Sequence, residues 1–257
     1  MLYPFHFRLW DSRKTFQQGL PILMYHKIQC PPVRDKIKFL NVSPAYFCSQ
    51  IRELSEAGYT SVSLSELPSD GLLHPQRIVL TFDDGYRTIL TNGLPVLQKY
   101  RFKSIAFLVS GCLGQTNVWD RGTGFQEDRL MSQTEVREWL AAGQEIGAHT
   151  VSHPHLSKLP ITRAREEITR CKAELEDLFS RPIEHFAYPY GDYSPLIRDL
   201  VMNAGFKTAC TTRPGINTPN SCLLDLNRFT ARRASPKPIE RITHWRRRFK
   251  LMLHPNE

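Results

Sequence analysis

Short runs of apolar residues, rich in β-branched and aromatic side chains, alternate along the chain with segments whose apolar positions recur every three or four residues. The short runs predict strands over 21–28, 60–64, 77–82, 104–109, 144–148, 183–188 and 206–211. The intervening segments predict helices, several with readable ends. Ser43 before Pro44 is a cap followed by a first-turn proline; Phe47, Ile51 and Leu54 then share a face, and Gly58 lies past the end. Ser132 and Glu135 form a capping-box pattern for a helix that stops at Gly143. Thr162 is the expected cap of a longer helix with Ile168, Leu175 and Leu178 on one side. Ser194 and Pro195 open a further helix that Gly205 closes. Alternation of this kind implies the α/β class, with a parallel sheet covered by helices. About seven strand–helix units point to a closed or nearly closed barrel, with functional residues at the C-terminal ends of its strands.

The composition adds little to that picture and removes some alternatives. Hydrophobic residues are 41% of the 257, enough for a sizeable core. No run reaches the roughly 18 apolar residues of a membrane span. The first twenty residues are broken by His6, Arg8 and Asp11 and have neither an apolar h-region nor a small-residue cleavage site. The six cysteines, at 30, 48, 112, 171, 210 and 222, are scattered without a CxxC pair and read as buried, reduced thiols. A cytoplasmic location is the expectation from both. Of the net charge of +9, +7 falls from Arg228 onward, where nine Lys/Arg stand against two acids. The rest is nearly neutral, which argues against a nucleic-acid-reading surface.

The candidate chemistry sits where predicted strands end. Ile78 to Tyr86 reads as a buried strand running into Asp83, Asp84 and Gly85. Alternate strand residues face opposite ways, so the two carboxylates share a site only if the chain bends, and Gly85 allows that bend. Alone, such a pair is as readily a helix cap at Asp84. His149, His153 and His155 follow another apolar strand; His149 and His153 are four apart and can reach one ion, with His155 the expected bystander. Alone, this spacing is as readily a solvated histidine-rich loop. Two imidazoles and one carboxylate leave a catalytic zinc site one position open, with the second Asp free to act as a base. Tyr188-Pro189-Tyr190-Gly191 forms a rigid turn after a third strand, able to aim a backbone N–H at a reacting oxygen. His26 ends the first strand, ordinarily the place of a hydrogen-bonded core histidine.

Together these pieces resemble the polysaccharide deacetylase family, the NodB-homology or carbohydrate esterase family 4 group. TFDDGY at 81–86, HTVSHP at 149–154 and YPYG at 188–191 carry the resemblance, and MYHKI at 24–28 is similar to the branch whose catalytic acid lies near the N-terminus. The resemblance implies a distorted (β/α) barrel of about seven parallel strands and a metal-dependent hydrolase. It would remove N-acetyl groups from acetamido sugars of a polysaccharide or glycan precursor and release acetate. It implies Asp83 as general base and Asp84, His149 and His153 as ligands of a divalent metal, Zn²⁺ first, with Co²⁺, Ni²⁺ or Fe²⁺ also accepted. Thr150 would brace the site, the Tyr190 backbone N–H would sit in the oxyanion hole, and His26 would be the general acid. Many members pair the catalytic Asp with an arginine in the third motif, where this chain has Ala187. Arg228, expected to follow a late strand, is the candidate to supply that charge. The implied organisation is an N-terminal extension over 1–20, a catalytic domain over 21–235 and a basic tail over 236–257.

Two other functions use the same residues. A non-haem iron oxygenase needs two His and one carboxylate, but leaves Asp83 superfluous. A non-catalytic carbohydrate-binding member would fit the loss of the third-motif arginine, yet all five of Asp83, Asp84, His149, His153 and His26 are retained. In the tail, Ile242, Trp245, Phe249 and Met252 would share one face of a helix among basic residues. That pattern suits either packing on the barrel or peripheral contact with an anionic membrane at its inner face. Deleting residues 239–257 should abolish cosedimentation with anionic liposomes; undiminished binding would dismiss the membrane role.

Overall fold

The structure, a computed structural model, describes residues 14–30, 40–67, 76–123 and 126–231. The basic tail therefore lies outside the described residues. The described residues form ten short strands: β1 (Ile22–Tyr25), β2 (Lys27–Ile28), β3 (Asn41–Val42), β4 (Thr60–Ser61), β5 (Arg77–Phe82), β6 (Ile105–Leu108), β7 (Glu145–Ala148), β8 (His185–Ala187), β9 (Thr208–Cys210) and β10 (Phe229–Thr230). Seven pair in the order β10-β1-β5-β6-β7-β8-β9, every pair parallel. β4 adds to the start of β5, and β2 pairs β3 separately. The result is a curled sheet of seven parallel strands, a distorted half-barrel as expected. Its two edge strands do not pair with each other; a single bridge from Cys210 to Leu226 lies at the seam.

Alternation along each strand divides the core into two layers. In β5, Ile78, Leu80 and Phe82 face the helices, whereas Val79 faces the barrel interior. β1 repeats this with Leu23 and Tyr25 outward and Ile22 inward, and β6 with Ala106 and Leu108 outward and Ile105 and Phe107 inward. Period-two alternation then carries the inward row of β5 through Thr81 to Asp83. The catalytic candidate is aimed by strand geometry alone.

Five helices of the outer layer matter to that aim: α1 (Pro44–Glu56), α2 (Leu94–Tyr100), α3 (Gln133–Ala141), α4 (Ile161–Phe179) and α5 (Pro195–Asn203). Phe47, Ile51 and Leu54 of α1 are buried as the spacing predicts. In α3, Ser132 Oγ accepts from Glu135 N, and a Glu135 carboxylate oxygen accepts from Ser132 N at 2.9 Å. A cap of this kind stabilises a helix by roughly 1 kcal/mol. Trp139 behind it is fully buried and donates its indole N–H to Glu145 O at 2.8 Å.

Three expectations need correction. α4 begins at Ile161 with Pro160 as its cap residue, so Thr162 lies inside the first turn. The fixed φ of Pro160 sets the entry, and its carbonyl accepts from Arg163 N and Ala164 N without a side-chain cap. Arg228 precedes β10 rather than following a strand, because β10 is only two residues long and shows no alternation to read. Cys112, Cys171 and Cys210 are buried free thiols, but Cys48 is half-buried and Cys30 and Cys222 are exposed.

At the other end of the barrel, His185 opens β8 inside the protein. Its Nε2 lies 2.8 Å from Ser65 Oγ and its Nδ1 2.9 Å from Thr208 Oγ1. Burial pushes its pKa down from 6.5 to about 4. The folded state therefore holds this imidazole neutral, so its contribution is complete above pH 6.5 and is lost as pH falls toward 4. By pH 5 that loss should reach about 2 kcal/mol. Urea titrations of metal-free protein at pH 8 and pH 5 should show this extra loss in the unmodified chain and not in His185→Gln.

Candidate metal-centred active site

Asp83 and Asp84 follow β5 directly, and the bend expected there is shared by two residues. Asp84 takes φ +70° and Gly85 φ +74°. A positive φ is unusual for a residue with a side chain, though Asp tolerates it better than most. It turns the Asp84 carboxylate away from the strand's alternation and toward the loop after β7.

That loop carries His149, Thr150 and His153. Asp84 Oδ1 lies 3.3 Å from His149 Nε2 and 3.2 Å from His153 Nε2. One ligand atom from each residue falls within 4.8 Å of the others, and all three side chains are buried. His149 Nδ1 is 2.7 Å from Ala187 O, a partner that can only accept. In a neutral imidazole this places the proton on Nδ1 and turns the Nε2 lone pair toward Asp84. Asp84 Oδ1 makes no hydrogen bond and is buried. Burial alone would raise the pKa of Asp84, but His153 and His149 outweigh it and hold the carboxyl well below its usual range. An anionic oxygen facing imidazole lone pairs out of water is a poor arrangement without a cation and a good one with it. The residues fit a divalent metal.

Asp83 serves differently. Arg228 Nη1 and Nη2 donate to its two oxygens, each at 2.7 Å. The guanidinium is fully buried, with Nη1 also donating to Thr81 Oγ1 at 3.0 Å and Nε to Thr211 O at 2.8 Å. Burial pushes the Asp83 pKa upward, yet the Arg228 charge and its hydrogen bonds offset this, and the pKa lies below its ordinary value. Each oxygen retains a second lone pair beyond the one given to Arg228. The charge absent at Ala187 is thus present in space, supplied from β10 through the barrel interior. Ala187 itself packs in the inner layer with Cys210 and Phe107, and Arg228 lies over the Phe107 ring.

The remaining predicted residues gather round the same point. His26 Nε2 lies 3.9 Å from Asp83 Oδ2, and the side chain retains 14% exposure at the mouth. Burial lowers its pKa, against the pull of Asp84 and Asp83. Thr150 Oγ1 accepts from His153 N at 3.0 Å. Tyr190 adopts φ +60° and packs edge-on to the His153 ring, with centroids 4.5 Å apart. Gly191 follows at φ +69°, and a Cβ there would fall 2.1 Å from Thr212 Oγ1, so only glycine fits the turn. His155 lies outside the ligand cluster but stacks on the outer face of Tyr190 at 4.0 Å.

Sequence reasoning missed the wall formed by the connection between β6 and α3. Trp119 stacks on His153 with centroids 4.4 Å apart. Asp120 is buried beside it and takes a hydrogen bond from Asn117 Nδ2 at 2.6 Å. Burial raises the Asp120 pKa, opposed by that hydrogen bond and reinforced by the Asp84 charge. Lys27, buried next to His26 in sequence, bonds Asp128 at 2.7 Å and lies over the Tyr86 ring. These residues sit in a stretch without periodicity, and only the MYHKI string hinted at Lys27.

Comparison with known proteins agrees with this geometry. Residues 71–209 match the profile of the family described as polysaccharide deacetylase. The Bacillus subtilis protein YxkH is 25% identical over 221 residues, covering 84% of this chain and 72% of that one. The poly-β-1,6-N-acetyl-D-glucosamine N-deacetylase of Staphylococcus aureus is 27% identical over 198 residues, covering 72% of this chain and 66% of the relative. The Streptococcus pyogenes deacetylase PplD, solved in complex with acetate, superposes with a TM-score of 0.70 at 25% identity, over 83% of this chain and 92% of that one.

Removing one partner from a buried ion pair leaves an uncompensated charge and costs about 3–5 kcal/mol. Arg228→Leu should lose that much stability in urea denaturation, and Asp83→Asn in the same chain should recover part of it. Additive losses in the double variant would mean the pair is not coupled.

Proposed function

This chain belongs to the polysaccharide deacetylase family, and we propose that it is a metal-dependent hydrolase acting through Asp83, Asp84, His149 and His153. The reaction is removal of N-acetyl groups from amino sugars of a polysaccharide or glycan precursor, with release of acetate. The observation that carries this reading is the buried meeting of an unpaired Asp84 oxygen with two imidazoles, beside a second carboxylate held ionised by Arg228.

A divalent ion held by Asp84, His149 and His153 would polarise the acetamide carbonyl and acidify the attacking water. Zn²⁺ suits the donor set best, and the remaining position of such a site is open. Asp83 takes the water proton on a carboxylate lone pair not used by Arg228. The bidentate Arg228 contact keeps that carboxylate ionised and prevents it from turning toward the ligand cluster. The carbonyl oxygen gains negative charge as the water adds, and the Tyr190 N–H donates to it. The amine is too basic to depart as an anion, so as the C–N bond breaks it takes a proton from His26 Nε2, which is supplied in turn with the water proton held by Asp83, 3.9 Å away. Thr150 fixes the separation of His149 and His153 through its bond to His153 N. Acetate and a free amino sugar result.

The adjacent base distinguishes this reading from an oxygenase with the same ligands. Asp83 is the group for which oxygen activation has no use, and hydrolysis cannot proceed without it.

Protein reconstituted with Zn²⁺ should release acetate from N-acetylglucosamine oligomers under anaerobic conditions. Asp83→Asn should lower the rate by roughly 10²–10⁴-fold while still binding metal. His153→Ala should lose the metal as well. A chain that binds one ion tightly but leaves oligomers intact would shift the substrate to a lipid- or nucleotide-linked sugar. Failure of both metal binding and acetate release would falsify the reading.

A further inference from the structure

The stretch from His149 to His153 must bring two imidazoles to one point across three intervening residues. It does so in an unfavourable conformation: Thr150 takes φ +67° and His153 φ +62°. Left-handed backbone is disfavoured for any residue with a Cβ, and most for a β-branched one such as Thr. Such a loop holds its shape only if neighbours over-determine it. The internal bond from His153 N to Thr150 Oγ1 restrains one end. Two of the three amides between the ligands, those of Val151 and Ser152, both go to one side chain.

Glu167, in the second turn of α4, accepts from Val151 N and Ser152 N at 2.9 Å each through one carboxylate oxygen. Its other oxygen accepts from Ser152 Oγ at 2.7 Å. The helix behind it is anchored by Ala164, Ile168, Cys171 and Leu175, all fully buried. The loop's carbonyls are held from the opposite side, where Ser110 N donates to Thr150 O at 3.1 Å and Gly111 N to Val151 O at 3.0 Å. Ser110 Oγ in turn donates to Glu174, seven residues after Glu167 and so on the same face of α4.

We infer that Glu167 is a positioning residue for the metal ligands, clamping the left-handed loop so that His149 and His153 meet Asp84 before any ion arrives. This rests on the metal reading proposed above. A carboxylate used merely to cover a surface loop would stabilise the fold without changing metal affinity. A clamp changes the affinity and geometry of the ion, and outer partners of metal ligands typically alter affinity by about 10–100-fold.

Co²⁺ is the probe, because its visible absorption reports both occupancy and coordination geometry. Glu167→Ala should weaken Co²⁺ binding by roughly 10–100-fold and shift the absorption bands of the loaded protein. Glu167→Gln keeps an acceptor for both amides and should stay within a few fold of the unmodified chain. Glu166→Ala, one residue away on the exposed side of α4, should change nothing. Ser152→Ala removes one bond of the clamp and gives a smaller effect in the same direction, which covers failure of Glu167→Ala to fold. Unchanged Co²⁺ affinity and spectrum in folded Glu167→Ala, or in Ser152→Ala if it does not fold, would overturn the inference. Absence of Co²⁺ binding by the unmodified chain would instead overturn the metal reading on which it rests.

Discussion

The buried pair between Asp83 and Arg228 is the constraint around which the rest of the barrel is arranged. A bidentate contact with no exposure on the guanidinium removes two full charges from water. Such a pair is favourable only when every remaining donor and acceptor is used. Here Thr81 and the Thr211 carbonyl take two further N–H groups of Arg228, and Thr81 Oγ1 in turn donates to Leu23 O at 2.9 Å. The bonds join β5, β1, the end of β9 and the start of β10. One side chain thereby reinforces the seam between the two edge strands, which the backbone joins through the bridge from Cys210 to Leu226.

Once that pair is in place, the division of labour between the two aspartates follows. Asp83 continues the inward row of its strand and is neutralised from below. Asp84 leaves that row through a left-handed turn and has no cation among its described neighbours. Two adjacent residues of identical chemistry therefore occupy opposite electrostatic situations. One is an ionised carboxylate paired with a guanidinium, and the other is a carboxylate with an oxygen that has no hydrogen-bond partner. Above them the walls are aromatic: Trp119, His153, Tyr190 and His155 form a connected series of ring contacts.

Most of the fold was legible because its signals are local. Strand runs such as 77–82 are continuous and apolar, and Ser43, Ser132 and Ser194 announce their helices through a hydroxyl and a following Pro or Glu. The gathering of Asp84, His149 and His153 was legible because strand ends, short spacing and a familiar motif order coincide. What escaped was of two kinds. β3 and β10 have two residues each and so no period to detect. The proton position on His149, the stacking of Trp119 and the clamp by Glu167 depend on contacts across the fold, with partners 38, 34 and about 15 residues away. Arg228 was reachable only by asking what replaces the charge missing at Ala187, and its partner lies 145 residues earlier.

That last separation has a consequence for how the molecule comes into being on the ribosome. Asp83 emerges early, directly after β5, while Arg228 emerges just before the final strand. At roughly 5–20 residues per second, the carboxylate waits on the order of ten to thirty seconds for its counter-ion. Throughout that interval the inner layer cannot close around Asp83 without burying a bare charge or protonating it. Closure of the barrel's centre before the last strand arrives thus carries a desolvation cost that closure afterwards does not.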